Sequence, residues 1–390
     1  MSTGGEGVMP KVGSYVAEYF GYQVYPDVAG GAEALDAQRN GCCPFLSMAT
    51  GDARTCVKRE ASRGVCTVSS VVDDVRDDWL VCPNRAIDPL FMGQAARRLF
   101  GYSETATLHF IAAPTLSDPE TREIVKRAVA KAEHVLVYFQ EKLGGELGIS
   151  KTLVSPEFSF DWTLVEVLGV TPELALGRFG ILELQTMDFH GSYRHAVSLV
   201  SSELKSNPDG FHEYLRTKEG RSNLSEKMET PNLSNVFKRT FYQMVYKFQL
   251  AGHSNCAGGG FAVPRSVWTS WSRHLANPPL LKQEDGTFVL SRGDDNKAQL
   301  EGNSWIFVFE LDKSNYSHDN GTPSAIRPWR VIKTDAETLI QMALRDSPAQ
   351  ALADGSPIYS VTERARQKIR RHWPAVVPRN RRRSQGPTLF

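Results

Sequence analysis

The sequence predicts an α/β fold in which a mixed central sheet is flanked by helices. Between residues 101 and 275, segments with apolar residues at helical spacing alternate with short extended segments. The chain has 390 residues, 41% of them hydrophobic, and can therefore bury a large core. Residues 1–100 lack this alternation, so we expect a loop-rich region there, and we expect the region to bind a metal through four cysteines.

The predicted elements of the central section follow one another closely. The segment at 118–133 begins with Asp-Pro and continues with apolar residues at helical spacing, which predicts a helix. It leads into an apolar run at 134–139, a predicted strand, and Gly144-Gly145 predicts a turn. The other predicted elements are strands around Asp161 and Glu183 and at 304–313 and 328–333, helices at 192–204, 232–253 and 335–347, and an exposed loop at 283–302.

The charge of the chain is divided unevenly. Residues 363–383 contain nine Lys and Arg against one Glu, a net charge of +8, which leaves −7 for the remainder. A tail of this kind is either a solvated terminus or an arm that contacts phosphates. We therefore predict three parts: an N-terminal region at 1–100, a catalytic core at 101–350 and a basic C-terminal tail at 351–390.

The sequence also indicates the cellular compartment in which the protein works. The chain begins without a charged leader followed by an apolar block, and it contains no apolar run of about 18 residues. Six cysteines in a chain of this length do not resemble the disulfide framework of a small secreted protein. We therefore expect a cytoplasmic protein that does not enter a membrane.

Five of the six cysteines lie between positions 42 and 82. Cys43, Cys56, Cys66 and Cys82 are separated by 12, 9 and 15 residues, which is not a zinc-knuckle spacing. Four thiols in a segment with a weak apolar pattern nevertheless favour a metal centre over scattered buried cysteines. All-sulfur ligation suits either zinc or a single iron. Cys42 is then a spare thiol, and the distant Cys256 is simply buried.

Two extended segments carry acids. "FSFDW" (158–162) and "ILELQ" (181–185) both alternate apolar and polar residues, and residues i and i+2 of a strand point to the same face. Glu183 and Gln185 therefore share a face, and Asp161 joins them if the strands pair. Two carboxylates on a rigid sheet suit Mg²⁺ and metal-assisted hydrolysis of a phosphodiester.

The same acids also fit a solvent-facing surface, because many strands carry such residues. Glu146, beside the double glycine, could add a further carboxylate or bind a water. Gln185 has no charge and cannot act as a general base, so its role is orientation or hydrogen bonding. His190 and His195 are left without a role.

Five longer strings resemble the NotI-type restriction endonucleases: "CPNRAIDPLFM", "YFQEKLGGEL", "SPEFSFDWTL", "LELQTMDFHGSY" and "PNLSNVFKRTFYQM". The resemblance runs from about Tyr15 to Trp373. It implies a PD-(D/E)xK-type endonuclease with glutamine in place of lysine, acting as a homodimer on the palindrome GCGGCCGC.

Carried over to this sequence, the resemblance implies that Asp161 and Glu183 hold the catalytic Mg²⁺, that Gln185 takes the lysine position and that Glu146 assists. It also implies that the four cysteines named above hold a structural iron atom, with zinc as the alternative metal. Cys42 departs from the family pattern. A matching DNA methyltransferase is expected as a separate protein.

A palindrome is most simply read by a two-fold dimer, one half-site per subunit. In a site of G and C, Arg and Lys contact guanine, and Asp or Glu accepts from cytosine. Arg194, Lys238 and Arg239 are candidates for DNA contacts.

Two other functions remain open. The first is a DNA-binding metalloprotein without catalysis, and the second is a DNA repair nuclease that reads structure instead of sequence.

Overall fold

The computed structural model describes residues 12–29, 31–72, 75–185, 193–229, 233–290, 300–311, 326–353 and 356–372. These residues form fifteen strands and twelve α-helices. The strands are β1 Val12–Tyr19, β2 Tyr22–Gln23, β3 Val65–Val72, β4 Val75–Leu80, β5 Leu108–Ala112, β6 His134–Phe139, β7 Gly148–Ile149, β8 Phe158–Ser159, β9 Trp162–Gly169, β10 Ala175–Leu184, β11 Cys256–Pro264, β12 Leu280–Lys282, β13 Phe288–Leu290, β14 Ser304–Leu311 and β15 Ile326–Thr334.

The helices follow the predicted periodicity closely in the central part of the chain. They are α1 Ala32–Asn40, α2 Pro44–Thr50, α3 Pro89–Phe100, α4 Pro119–Ala130, α5 Arg194–Ser206, α6 Phe211–Arg216, α7 Lys218–Asn223, α8 Leu233–Leu250, α9 Arg265–His274, α10 Ala336–Gln341, α11 Ser347–Ala353 and α12 Ser356–His372. Asp118 caps α4, since its carboxylate accepts a hydrogen bond from the Thr121 N–H. A π-helical turn, Met342–Asp346, joins α10 to α11. Within the described ranges, no helix is long and apolar enough to cross a membrane.

A nine-stranded mixed sheet forms the centre of the molecule. Its order is β12-β13-β15-β14-β11-β10-β9-β6-β5. The pairs β10–β11 and β11–β14 are parallel, whereas β9–β10 and β14–β15 are antiparallel. The predicted mixed α/β architecture is therefore confirmed.

Helices cover both faces of this sheet. One face packs against α3, through a buried cluster that includes Leu99, Leu164 and Leu182. The other face packs against α8, α9 and α10 over β11, β14 and β15, and against α4 over β5, β6 and β9. Strand β10 lies between these two groups of helices on that second face.

A second sheet, in the order β2-β1-β3-β4, lies in the N-terminal part. It packs against α5, α6 and α7, which come from the middle of the chain. The prediction of a loop-rich region is therefore wrong for most of residues 12–100 and holds for the segment between Gly51 and Gly64. The physical reason is that β1 and β3 are largely buried, so their apolar and polar residues do not alternate.

One further difference concerns a single strand. The predicted loop at 283–302 contains β13, which pairs with β12 through a turn at Gly286 and with β15. The part of that loop at 291–299 lies outside the described residues. The predicted strand at 328–333 and the predicted turn at Gly144-Gly145 are both present, and both glycines have positive φ.

Candidate active site

The two predicted acidic strands lie side by side. Strands β9 and β10 are antiparallel, with Leu182 opposite Trp162, so Asp161, directly before β9, lies beside Glu183 near the end of β10. Leu182 and Trp162 face α3. Because successive side chains of a strand point to opposite faces, Asp161 and Glu183 point to the other face, which α8 covers. The predicted juxtaposition of the two carboxylates is present in the structure.

Each carboxylate is held by the backbone of the other strand. The Asp161 N–H donates to Glu183 Oε1 at 3.2 Å, and the Leu184 N–H donates to Asp161 Oδ2 at 2.9 Å. This reciprocal pair of hydrogen bonds fixes both side chains on the sheet. Rigid elements position such groups more accurately than loops do.

A lysine from α8 completes the cluster. Lys247 Nζ lies 2.6 Å from Glu183 Oε2, and the two side chains are only 3% and 8% exposed. The ammonium group also lies 5.5 Å from the centre of the Phe160 ring. The structure thus adds a buried cation to the two acids, which the sequence analysis did not assign to the site.

The signal for Lys247 was present in the helix pattern. Val236, Thr240, Met244, Lys247 and Phe248 are spaced so that they share one face of α8, and all five are buried. A lysine on the apolar face of an amphipathic helix needs a buried partner. The sequence does not show which acid that partner is.

The environment raises the pKa of both carboxyl groups. Burial is the largest cause at Glu183, followed by the neighbouring Asp161, and together they raise its pKa to about 8 against the opposing effect of Lys247. Burial also raises the pKa of Asp161, with a smaller contribution from Glu146, while the Leu184 N–H and Lys247 oppose the shift. Two acids with shifted pKa values in one place are typical of functional sites.

Glu146 and Gln185 lie at the edges of this pair. The Glu146 side chain is exposed but close enough to Asp161 to raise its pKa. It follows Gly144-Gly145 and precedes β7, and the Leu147 carbonyl accepts from the Phe160 N–H at 2.8 Å. Gln185 is half-buried just beyond β10, with its N–H donating to the Ala262 carbonyl at 2.9 Å. It extends the face that carries Glu183.

The hairpin of β7 and β8 closes one side of the cluster. The Phe158 ring stacks on Tyr246 of α8, with ring centres 4.1 Å apart. Thr163, two residues after Asp161 and on the same face, is buried, and its hydroxyl has no hydrogen-bond partner among the described residues. A water or ligand at the cluster would satisfy that hydroxyl.

The four predicted cysteine ligands lie in one neighbourhood. Cys43 caps α2, Cys66 lies in β3 and Cys82 follows β4, and all three belong to the buried cluster beneath α3. Cys56 lies in the loop before β3, where its sulfur accepts from the Gly64 N–H at 3.4 Å. All four are free thiols.

The thiols influence one another. Burial raises the pKa of Cys43 to about 12, and Cys82 and Cys56 add to that rise. Cys66 and Cys82 share a hydrogen bond that raises the pKa of Cys66 and lowers that of Cys82 to about 7, to which Lys58 also contributes. A lowered thiol pKa favours the thiolate, which is the metal-binding form.

Neither cluster is arranged as a set of three or more ligands. In the parts of the chain that the structure describes, no group of three or more His, Cys, Asp or Glu could hold a metal ion. The four-cysteine site therefore gains no support from this arrangement and remains a prediction. Asp161 and Glu183 fit Mg²⁺ better, because that ion takes one or two carboxylates and keeps several waters.

The candidate DNA contacts lie on separate elements. Arg194 is exposed at the start of α5, which packs on the small sheet. Lys238 and Arg239 are exposed on α8, and Lys238 lies nine residues before Lys247, on the opposite side of the helix. His195 is exposed on α5, and His190 lies outside the described residues.

Comparison with other proteins adds no assignment. No known protein-family model matches the chain, and no curated protein is significantly similar to it.

Proposed function

We propose that the protein is a type II restriction endonuclease with a restriction-endonuclease-like core, which hydrolyses phosphodiester bonds of double-stranded DNA at a GC-rich palindrome, most simply GCGGCCGC. The observation that carries this proposal is the pair formed by the half-buried Asp161 and the buried Glu183, each fixed by the backbone of the other strand. A protein without catalysis has no evident need to hold two acids together away from water, because desolvation makes that arrangement costly.

The residues of the cluster have distinct roles in this proposal. Asp161 and Glu183 hold the catalytic Mg²⁺, which supplies a more acidic water and offsets charge on the phosphate. Glu146, exposed at the rim, orients the attacking water by accepting a hydrogen bond. Gln185 donates from its amide to the water or to a phosphate oxygen. The reciprocal backbone contacts keep the two acids in place while the DNA binds and leaves.

The four cysteines form the second metal site of the proposal, with iron as the expected occupant and zinc as the alternative. Cys43, Cys66 and Cys82 are buried in one cluster. Cys66 is hydrogen-bonded to Cys82, and Cys56 is close enough to raise the pKa of Cys43. All four remain free of disulfides, as metal ligands must be. The role of this site is structural.

The partners follow from the substrate. A palindrome calls for a homodimer in which each subunit reads one half-site. Arg194, Lys238 and Arg239 are exposed and can contact phosphate or guanine. The basic segment at 363–383, which includes part of α12, adds attraction for DNA that weakens with salt. A separate methyltransferase would protect the host DNA, and the enzyme would act in the cytoplasm.

The test uses purified full-length protein with Mg²⁺ and a long DNA that contains one GCGGCCGC among near-matches, followed by sequencing of the ends. We expect a single cut at the octamer. Asp161→Asn and Glu183→Gln should each cut at least about 10²-fold more slowly, because each removes a carboxylate ligand of the Mg²⁺ that offsets charge on the reacting phosphate. Both variants should still bind the DNA.

Glu166→Gln is the matched control. Glu166 lies on β9, the strand that follows Asp161, but its side chain is on the other face of the sheet. There it accepts a hydrogen bond from the Tyr102 hydroxyl and contacts Arg178. This variant should cut at nearly the wild-type rate. Binding without cutting by the wild-type protein would favour the non-catalytic alternative, and cutting of branched DNA regardless of base order would favour a repair nuclease.

A further inference from the structure

The buried face of α8 delivers one positive charge to the acidic cluster. Lys247 Nζ contacts Glu183 Oε2 at 2.6 Å, and the Asp161 N–H occupies the other oxygen of the same carboxylate. Both Glu183 oxygens are therefore engaged by donors from two different elements. The orientation of the carboxylate plane depends on α8 as much as on the sheet.

The sheet is built so that α8 can approach this closely. Strand β11 pairs with β10 and packs against α8, and its residue opposite Ile181 is Gly259. A Cβ atom at Gly259 would lie 3.2 Å from Ala251 Cβ and 3.3 Å from the Lys247 carbonyl oxygen. The absence of a side chain there lets the last turn of the helix rest on the strand. A lysine can then reach across β11 to Glu183 on β10.

The strand itself provides no cation at the corresponding position. Gln185, two residues after Glu183 on the same face, is neutral. Asp161, Glu183 and the nearby Glu146 bring negative charge to the place where a DNA phosphate must come. Lys247 carries the opposite charge and is held in contact with the most buried of these acids.

We propose that Lys247 is the positioning residue of the active site: it orients Glu183 and offsets the charge of the acidic cluster, a task that the neutral Gln185 leaves open. This inference rests on the proposed nuclease function. It predicts that the charge matters more than the element that supplies it. A lysine on the strand should therefore replace part of the function of the lysine on the helix.

The experiment compares full-length Lys247→Met, Lys247→Arg and the double variant Gln185→Lys/Lys247→Met, with Lys126→Met, at an exposed lysine of α4, as the control. Single-turnover cleavage is measured against Mg²⁺ concentration with enzyme in excess, and DNA affinity is measured with Ca²⁺ in place of Mg²⁺. Thermal unfolding shows which variants are folded.

We expect Lys247→Met to cut about 10²-fold more slowly, as when one preorganised electrostatic group is removed, with a DNA affinity within about threefold of wild type. The double variant should regain at least about tenfold of that rate, which a purely structural lysine would not allow. Lys126→Met should cut normally. A folded Lys247→Met that cuts at the wild-type rate, or a double variant without any recovery, would overturn the proposal.

If Lys247→Met does not fold, Lys247→Arg decides, because it keeps the charge but changes its geometry. The proposal then expects a slower rate and a higher Mg²⁺ requirement, whereas a wild-type rate and Mg²⁺ requirement would refute it. A wild-type protein that cuts no DNA would refute the nuclease function itself. Normal cutting by wild type and by Lys247→Met would refute only the role of Lys247.

Discussion

The Lys247–Glu183 pair shows how the site balances stability against function. Removing one partner of a buried ion pair generally costs about 3–5 kcal/mol, because the other charge is left buried and unpaired. A pair of apolar residues in the same place is often neutral or stabilising. The folded protein therefore keeps these charges at some expense of stability. Such an arrangement is typical of sites selected for function and not for packing alone.

A half-buried ionisable group outside the acidic cluster allows a test of stability against pH. His212 on α6 shares a hydrogen bond with Gln38 Oε1 at 2.8 Å, and burial, followed by Arg216 and Arg39, lowers its pKa. The unfolded chain takes up a proton near pH 6.5, while the folded protein resists protonation to a lower pH. Stability is therefore lost as the pH falls below about 6.5.

His212→Gln cannot take up this proton and can still hydrogen-bond to Gln38. The fall in Tm between pH 7.5 and pH 5.5 should be smaller in this variant than in wild type, by on the order of 1 °C. The exposed His195→Gln serves as the control and should leave the fall unchanged. Equal falls in Tm for wild type and His212→Gln would contradict the expectation.

At the level of single residues, the alternation of apolar and polar residues along a strand was sufficient to predict part of the acidic cluster. It placed Glu183 and Gln185 on one face, and the structure brings Asp161 to the same place. Lys247 could not be assigned from the sequence, because its partner is 64 positions away in the chain and is reached only through the close packing of α8 on Gly259. Helical periodicity shows that a lysine is buried but not what it contacts.

Strand β11 is one of the elements that the sequence did not predict. All nine of its residues are buried, and three consecutive glycines, at positions 258–260, remove the apolar side chains by which a strand is recognised. The structure gives the reason for these glycines. A Cβ at Gly260 would lie 2.7 Å from the Phe307 ring, so neighbouring strands fill the space that a side chain would need.

Gly258 offers the clearest test of this packing. A Cβ at Gly258 would lie 2.8 Å from the Asn303 carbonyl oxygen and 2.9 Å from the Leu99 carbonyl oxygen, and backbone atoms cannot move aside cheaply. Gly258→Ala should destabilise the protein by about 1–3 kcal/mol, as overpacking does in other cores. Thermal or urea unfolding would measure this change.

Gly169→Ala is the matched control for that prediction. Gly169 ends β9, and a Cβ there would meet only Ala175 Cβ, at an ordinary distance of 3.6 Å. The free energy of unfolding of Gly169→Ala should therefore differ from that of wild type by less than about 1 kcal/mol, since a Gly to Ala change without a clash acts mainly on the unfolded chain. If both variants unfold alike, the close approach at β11 is not what requires glycine.

The strands of the N-terminal sheet were missed for a related reason. Strands β1 and β3 pack against helices from the middle of the chain, α5 to α7, so their burial depends on contacts across more than 100 residues. Local periodicity cannot report such contacts. In contrast, α4 and α8 each bury one helical face, and β14 is a continuous apolar segment. These patterns are visible in the local sequence, so the positions of the three elements could be predicted closely.

For the molecule as a whole, one buried cluster connects the cysteine region to the large sheet. Cys43, Cys66 and Cys82 belong to the same cluster as Trp162 and Leu182, which are next in the chain to Asp161 and Glu183. The cysteine region is thus packed onto the far face of the sheet that carries Asp161 and Glu183. Substitution of these cysteines should therefore lower the stability of the entire chain.

The packing of the cysteine region on the large sheet allows a test of the proposed metal. The purified wild-type protein should contain about one iron or zinc per chain by elemental analysis, and Cys66→Ser and Cys82→Ser should lose it and unfold at a lower temperature. Structural zinc contributes about 10–16 kcal/mol in small modules, so its loss here should lower Tm by many degrees. Cys256→Ser, a buried cysteine on β11, and Cys42→Ser, next to Cys43 in the chain, are the controls and should retain the metal. A wild-type chain that is stable and free of metal would show that the four thiols are ordinary core residues, because buried thiols also pack as small apolar groups.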